Sequence, residues 1–247
     1  MSEDVAVSTT KGLSEVERVV DVFIAPSKTF TDILRSAKWL LPFLLMVVMT
    51  LANSFVIEKQ VGWPRVVENQ IHQSPQQEEK LSQLTPEQRA AQLRGMAGGY
   101  RYTSYASPVI ILIFVAITAL LYWVSFNFGL GARTTYMQMF AICVYASLPR
   151  LIAGLLSILS LVFGADPDGF DLRNPVGTNP AYYLPDAGAA VRAALGFFDV
   201  IGIWVLVLLI LGTSIVAKVS RGKAAAVIIG WWVFGLLLSV GMATAFS

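Results

Sequence analysis

The chain of 247 residues is strongly apolar: 55% of its residues are hydrophobic and only 14% are charged. Soluble domains carry about 25% charged residues, so the composition excludes an ordinary water-soluble domain and indicates an integral membrane protein. The net charge is only +2, and the scattered basic residues form no nucleic-acid-binding stripe. One cysteine and one histidine provide neither a disulfide framework nor a metal cluster, and we predict no metal and no cofactor.

Residues 1–38 form a polar segment that we predict to be cytoplasmic and amphipathic. Apolar side chains recur there at helical spacing, at Leu13, Val16, Val19, Val20 and Phe23. Pro26 ends this helix, and Ser27 or Thr29 is expected to cap a second short helix. The second helix carries Phe30, Ile33 and Leu34. Two positions are open for the pair: the membrane surface, or packing on the loops of the bundle.

Five apolar runs follow, each near the length of about 20 residues that a helix needs to cross a bilayer. The runs cover residues 39–57, 108–130, 136–163, 193–217 and 224–246. The predicted fold class is therefore all-α, a polytopic membrane protein whose domain, residues 39–247, is a bundle of five transmembrane helices. Because the first twelve residues are polar, we expect the first transmembrane helix, rather than a cleavable signal peptide, to direct insertion.

The third run is longer than a straight span requires, and it contains Pro149 near its middle, followed directly by Arg150. Proline removes a backbone hydrogen bond and clashes with the preceding turn. The run therefore predicts either a helix kink at Pro149, or an interfacial stretch over residues 136–147 followed by a shorter span.

Residues 58–107 are predicted to be a polar, partly helical, extracytoplasmic loop with two or three short helices. The residues Thr85, Pro86, Glu87 and Gln88 form a capping box with proline at the first helical position. The same pattern recurs at residues 74–77. This composition is rich in glutamine and offers little apolar surface, so the loop either packs on the bundle or recruits a partner.

The distribution of basic residues in short loops predicts the orientation of the chain. Basic residues cluster before the first run and in the loops after the second and fourth runs. They are Lys28, Arg35, Lys38, Arg133, Lys218, Arg221 and Lys223. The loop after the third run carries four aspartates instead. The N-terminus is thus predicted to be cytoplasmic and the C-terminus extracytoplasmic. The basic residues of 58–107 oppose this assignment, but long loops translocate largely regardless of charge.

No catalytic constellation is present in the sequence: it contains neither HExxH nor GxSxG, and we predict that the protein is not an enzyme. Four polar residues interrupt the apolar runs, namely Asn53, Asn127, Arg150 and Asp199. Ionisable residues at membrane depth are costly and usually face the protein interior or a pore. This set predicts either a relay or substrate site, or buried contacts that fix helix packing, and we favour packing.

Several segments, in this order, resemble the bacterial branch of the Yip domain family, which is named for Ypt-interacting proteins. The first is VFIAPSKTFTDILRSAKWLLPFLL, residues 22–45. The second is YASLPRLIAGLL, residues 145–156, and the third is GFFDVIGIWVLVLLILGTSIVAKVSRGKAAAVIIGWW, residues 196–232. The positions that match the family's motifs are Pro26, Phe30, Trp39, Pro42, Tyr145, Pro149, Asp199, Trp204, Gly212 and Lys223.

This resemblance implies five helices with a cytoplasmic N-terminus, in a bacterial cytoplasmic (inner) membrane. Eukaryotic members bind Rab-type GTPases and carry an Asp-Leu-Tyr-Gly-Pro motif that is missing here, so Rab binding is not carried over to this chain. We expect a non-catalytic scaffold or partner subunit that binds the lipid bilayer and other membrane proteins, with no nucleic acid. Homo-oligomerisation is left open. The alternative is a small transporter or channel component that uses the polar residues within the bundle.

Overall fold

A computed structural model describes residues 12–164 and 166–245 of the chain. The first eleven residues of the predicted N-terminal segment, and residue 246 of the fifth run, lie outside the described residues. Over the described ranges the chain forms eleven α-helices and no strand. The predicted all-α fold is therefore confirmed.

Two short helices, α1 (Glu15–Ile24) and α2 (Pro26–Ile33), form an antiparallel pair that we call the hairpin. A capping box between Ser14 and Glu17 starts α1. The expected side-chain cap of α2 is wrong, because α2 begins at Pro26 without one. The Thr29 hydroxyl is instead buried and donates to the Arg18 carbonyl at 2.8 Å. The hairpin packs mainly against a bundle helix, α10 (Val200–Val216), rather than against loops.

The apolar runs form long helices, as predicted. They are α3 (Leu40–Gln60), α6 (Pro86–Val124), α7 (Tyr136–Ala146) with α8 (Arg150–Phe163), α10 (Val200–Val216) and α11 (Arg221–Ala245). In the described chain, four helical segments are long and apolar enough to cross a membrane. They are α3, α6 with the turn that follows it, α7 and α8 taken together, and α11. The predicted count of five is reached when α9 (Ala189–Gly196) and α10, which are bent by 47°, are taken as one broken span.

The helix α6 extends much further than the predicted second run. It starts at the Thr85 capping box, passes through Pro108 and ends in a π-helical turn, Ser125–Gly129. At about 1.5 Å per residue its length is about 66 Å, roughly twice the thickness of the hydrocarbon core. The predicted polar segment of residues 58–107 thus ends in continuous helix and not in short ones: α3 continues to Gln60, and α6 begins at Pro86. Only α4 (Trp63–His72) and α5 (Pro75–Ser82) lie between them.

The third run is divided at the proline that the sequence singled out. The helix α7 ends at Ala146, Ser147–Pro149 form a turn, and α8 starts at Arg150. Every residue from Met139 to Ala146 is buried, and α7 contacts α3, α6, α10 and the hairpin. An interfacial helix would leave one face uncovered, so the interfacial alternative is wrong and α7 is the central helix of the bundle.

Two apolar cores hold the molecule together. The larger core surrounds α7 and includes the inner face of the hairpin, with Val22, Phe30 and Ile33 fully buried. The smaller core joins α4, α5, the start of α6 and the segment after α8 around Trp63. We call the polar assembly over this smaller core the crown, which consists of residues 61–100 and 166–188. The end of the bundle beside it is the crown end, and the opposite end is the hairpin end.

Candidate functional site

Asn53 joins two membrane-spanning helices. Its amide nitrogen donates to the Gly154 carbonyl of α8 and to the Met49 carbonyl of its own helix, both at 3.1 Å. A glycine is needed on the facing helix, because a Cβ at position 154 would lie 2.7 Å from Met49 Cγ and 3.1 Å from Asn53 Nδ2. Small residues and amide side chains are the usual means by which helices pack closely inside a membrane.

Asn127 holds the turn between α6 and α7. Its amide nitrogen donates to the Thr134 carbonyl at 3.2 Å, and its side-chain oxygen accepts from the Thr134 backbone N–H at 2.8 Å. The Trp123 indole donates to the same carbonyl at 2.9 Å. These contacts give the polar backbone of the turn its partners at the hairpin end of the bundle.

Asp199, which the sequence placed within the fourth apolar run, is the N-cap of α10 at a break in that run. Its carboxylate accepts from the Gly202 backbone N–H at 2.8 Å and from the Thr178 hydroxyl. The break between α9 and α10 lies at this residue. Its carboxylate stabilises the start of α10, because the N-terminus of a helix carries a partial positive charge. Asp199 therefore links the segment before α9 to the start of α10.

Arg150 is the first residue of α8, and its side chain is exposed at the level where the third run is divided. Among the described residues the Arg150 side chain makes no hydrogen bond and no ion pair, while its backbone N–H donates to the Ser147 carbonyl at 3.0 Å. Asp199 is near enough to act on it electrostatically, but no ion pair within 4 Å joins the two groups. The four polar side chains thus do not meet: Asn53, Asn127 and Asp199 make separate contacts. Depressions of about 490 and 520 Å³ lie elsewhere, beside Arg18 and Lys38 at the open end of the hairpin.

The crown is held together by amide side chains of α4, which the sequence analysis did not single out. The Asn69 side chain donates to the carbonyls of Pro167 and Phe170 at 2.9 and 3.0 Å. The Gln70 side chain donates to Asp171 Oδ1 at 3.0 Å. Asn69 and Gln70 are both buried. Two segments about one hundred residues apart in sequence are therefore joined into one layer.

Polar contacts lie where the crown meets the bundle. Glu58, near the end of α3, accepts from the Tyr105 hydroxyl at 2.6 Å and pairs with Arg101 at 3.1 Å, so it connects α3 to α6. The Arg192 guanidinium of α9 donates to the Gln73 carbonyl at 3.3 Å. The crown is thus joined to α9 through Gln73 and Arg192, and directly beneath it Glu58 holds α3 to α6.

The outward face of the crown is polar. The exposed residues of α5 and the start of α6 include Gln76, Gln77, Glu78, Glu79, Lys80, Glu87, Gln88 and Arg89. In α5 the buried side chain is Leu81, which is 3% exposed. Near the base of the crown, Tyr182 and Tyr183 are exposed and pack edge-on, with ring centroids 5.2 Å apart. The crown therefore presents a broad solvated surface with an aromatic edge.

A charge cluster closes the open end of the hairpin. Arg18 is 1% exposed and pairs with Asp32, while its Nη1 donates to the Ser36 carbonyl at 2.7 Å. Arg35 also pairs with Asp32, at 2.9 Å. Hydrogen bonds from Arg35 and Arg18 hold the pKa of the Asp32 carboxyl below its usual value, against the opposing effect of burial. The cluster satisfies a buried charge that the helical spacing alone did not reveal.

Several positions of the resemblance meet in the larger core. Phe30 packs against Gly212, where an added Cβ would lie 2.8 Å from two ring carbons. Trp204 packs edge-on to Phe23, with ring centroids 5.8 Å apart. Tyr145 is fully buried, and its hydroxyl has no hydrogen-bond partner among the described residues. The residues at these positions therefore take part in the packing of the hairpin against the bundle.

The architecture defines a polytopic α-helical membrane protein with an attached helical hairpin and a folded polar crown. Among the described residues, no group of histidine, cysteine, aspartate and glutamate side chains could hold a metal ion. The family model for the Yip1 domain matches residues 20–242, so the chain belongs to the Yip1 domain family. Neither a curated protein nor a solved structure matches the chain with significance.

Proposed function

We propose that this protein is a non-catalytic scaffold or partner subunit of the membrane, and that it binds other membrane proteins through the crown. The crown itself is the observation that carries the proposal. It has its own apolar core around Trp63, and buried amides at Asn69 and Gln70 join it to the segment after α8. A connection between two spans needs only a few residues, whereas the crown is a folded layer.

The shape and chemistry of the crown also support a binding role. About half of α6 extends beyond the hydrocarbon core, since its length of about 66 Å exceeds the core by more than 30 Å. This projection gives a stiff support at a fixed distance from the membrane. The outward face is rich in amide side chains, and the exposed Tyr182 and Tyr183 are of the residue type that anchors many protein interfaces.

We also infer that the hairpin end faces the cytoplasm, in a bacterial inner membrane. Basic residues outnumber acidic ones at that end, while acidic residues outnumber basic ones at the crown end. Short cytoplasmic loops carry an excess of lysine and arginine. A reporter that is active only outside the cytoplasm, fused after Ser220, should be inactive, and the same reporter inserted at Gln83 should be active. The reverse pattern would invert the orientation.

The test of the partner-binding role is photo-crosslinking in living cells. A photo-reactive residue at Gln83, which is exposed in the turn after α5, should give a reproducible adduct with a different membrane protein. The matched control carries the same residue at Leu237 of α11, which is 65% exposed and faces lipid. That control should not give the same adduct, because the proposed interface lies on the crown.

The role is contradicted if Gln83 gives adducts only with other copies of this chain, or no adduct at all, under several growth conditions. It is also contradicted if Leu237 gives the same adducts as Gln83, because the contacts would then be unspecific collisions within the membrane. A second substitution in the crown, at Gln77, provides an independent position for the same comparison.

A second candidate function, a small transporter or channel component, is favoured by one observation. Arg150 lies at membrane depth and has no ion pair among the described residues, which is costly in a bilayer unless a pore, a ligand or water satisfies it. Purified protein in liposomes loaded with a pH-sensitive dye tests this function. A proton leak that the protein causes and that Arg150→Gln abolishes would support transport. Equal leak in both proteins, or none, would contradict it.

A further inference from the structure

The hairpin has one apolar face with no partner among the described residues. Val16, Val20 and Ile24 lie four residues apart, and hence on one face of α1. Their side chains are 64%, 50% and 74% exposed. These values resemble those of lipid-facing residues on the spans, such as Val48 at 66% and Leu237 at 65%. We call these three residues of α1 the stripe.

The opposite face of the hairpin fixes its depth along the bundle. The Phe30 ring is fully buried against Gly212, and the Phe23 ring packs edge-on to Trp204. Counted from the end of α10 at Val216 with a rise of about 1.5 Å per residue, these contacts lie about 6 and 18 Å into the span. The closed end of the hairpin therefore reaches roughly the middle of the membrane.

The surroundings agree with this depth. Residues 203–211 of α10, which lie between the two contacts, are all apolar, so water does not reach the hairpin from that side. The ion pairs of the hairpin lie at its open end, where Lys38 pairs with Glu15 at 3.5 Å and Arg35 with Asp32 at 2.9 Å. A structure that enters the membrane with its closed end first would have this distribution of charge.

We propose that the hairpin is a re-entrant element, and that the acyl chains of the phospholipid leaflet at the hairpin end cover the stripe. Backbone that enters a bilayer without crossing it is tolerated where its hydrogen bonds are satisfied. Both helices of the hairpin are hydrogen-bonded internally, and the Ala25 N–H between them donates to the Asp21 carbonyl at 2.8 Å. Two charged residues of opposite sign, Asp21 and Lys28, lie in the closed half. A lysine there keeps its stem in the apolar layer while its ammonium group reaches toward the headgroups.

Charge at this end of the bundle favours phospholipid over a second protein as the occupant. Exposed basic residues with no ion pair in the described chain surround the hairpin end, namely Lys28, Arg133, Lys218, Arg221 and Lys223. Basic residues beside a membrane are attracted to anionic headgroups. The same lipid molecules thus provide phosphates for these cations and acyl chains for the stripe.

Site-specific fluorescence quenching of the full chain in anionic liposomes tests the inference. Val20→Cys and Ile24→Cys are labelled separately with an environment-sensitive dye. Native Cys143 is 3% exposed and is the only other cysteine, and the unlabelled parent gives the background. The matched references are Val48→Cys, on the lipid face of α3, and Gln83→Cys, on the crown. Nitroxide-bearing lipids quench dyes in the bilayer, and iodide quenches dyes in water.

The inference predicts that the dyes at positions 20 and 24 are quenched by nitroxide lipids to within about twofold of the reference at position 48. Iodide should quench them several-fold less than the reference at position 83. Quenching by iodide as strong as at position 83 would overturn the inference, because the stripe would then face water. Quenching by neither agent would also overturn it, because protein would then cover the stripe. Cysteines at exposed positions leave the core intact, so the fold is retained in each variant.

Discussion

Replacing Gly212 with alanine tests how the hairpin is attached to the bundle. The new methyl group would lie 2.8 Å from two carbons of the Phe30 ring and 2.9 Å from Ile142 Cγ2. Both neighbours are fully buried and cannot move aside without displacing others. Extra volume in a well-packed core costs about 1–3 kcal/mol. In a chain of this size, each kcal/mol lowers the melting temperature by about 2–4 °C, so the loss should be several degrees.

The single cysteine of the chain provides the assay. Cys143 lies in α7, inside the core that holds Phe30, so a thiol-reactive fluorogenic dye reports the opening of that core on heating. The control is Gly230→Ala in α11, where an added Cβ meets nothing within 4 Å. Combining Gly212→Ala with Phe30→Leu should recover part of the loss, because the shorter side chain vacates the space. If Gly212→Ala has the same melting temperature as the control, the hairpin does not pack against α10.

Further predictions concern polar contacts. Asp32→Ala leaves the buried Arg18 without its carboxylate partner. Removing one partner of a buried ion pair lowers the free energy of unfolding by about 3–5 kcal/mol. An unchanged melting temperature, measured by circular dichroism, would contradict this. Because Arg35 and Arg18 lower the pKa of Asp32, the contribution of Asp32 to stability should be constant above about pH 4 and be lost as the pH drops through the lowered pKa. Asp32→Asn should remove this part of the pH dependence. Asn53→Ala loses the bond to Gly154 and should cost about 0.6–1.7 kcal/mol, and no change in melting temperature would count against that contact.

The positions of the spans could be predicted from the sequence because insertion into a bilayer is decided segment by segment. Transfer of about 20 apolar residues is favourable whatever lies elsewhere in the chain. The Thr85 capping box was also predictable, since it joins residues three apart in sequence and forms with Gln88 as expected. The predicted helix cap at Thr29 was wrong, because α2 packs against α1 and the Thr29 hydroxyl donates to the buried Arg18 carbonyl instead.

The continuity of α6 could not be predicted from composition alone. Pro108 marked the start of the second run, yet the helix passes through it without interruption. Proline is tolerated within a membrane helix when neighbouring groups satisfy the freed backbone. The part of α6 before Pro108 is polar, so hydropathy predicts a separate segment there, although the backbone forms one continuous helix.

An all-helical membrane protein could be predicted from the amino-acid sequence because hydrophobicity and helix caps act over short stretches. Which residues meet across the bundle depends on the tertiary structure. Asn69 reaches the segment at residues 167–170 only because α4 folds over the end of α8. Phe30 meets Gly212 only because the hairpin turns back into the bundle. Such contacts depend on the rotation and depth of whole helices, and these are fixed by the simultaneous packing of all their neighbours rather than by any local pattern.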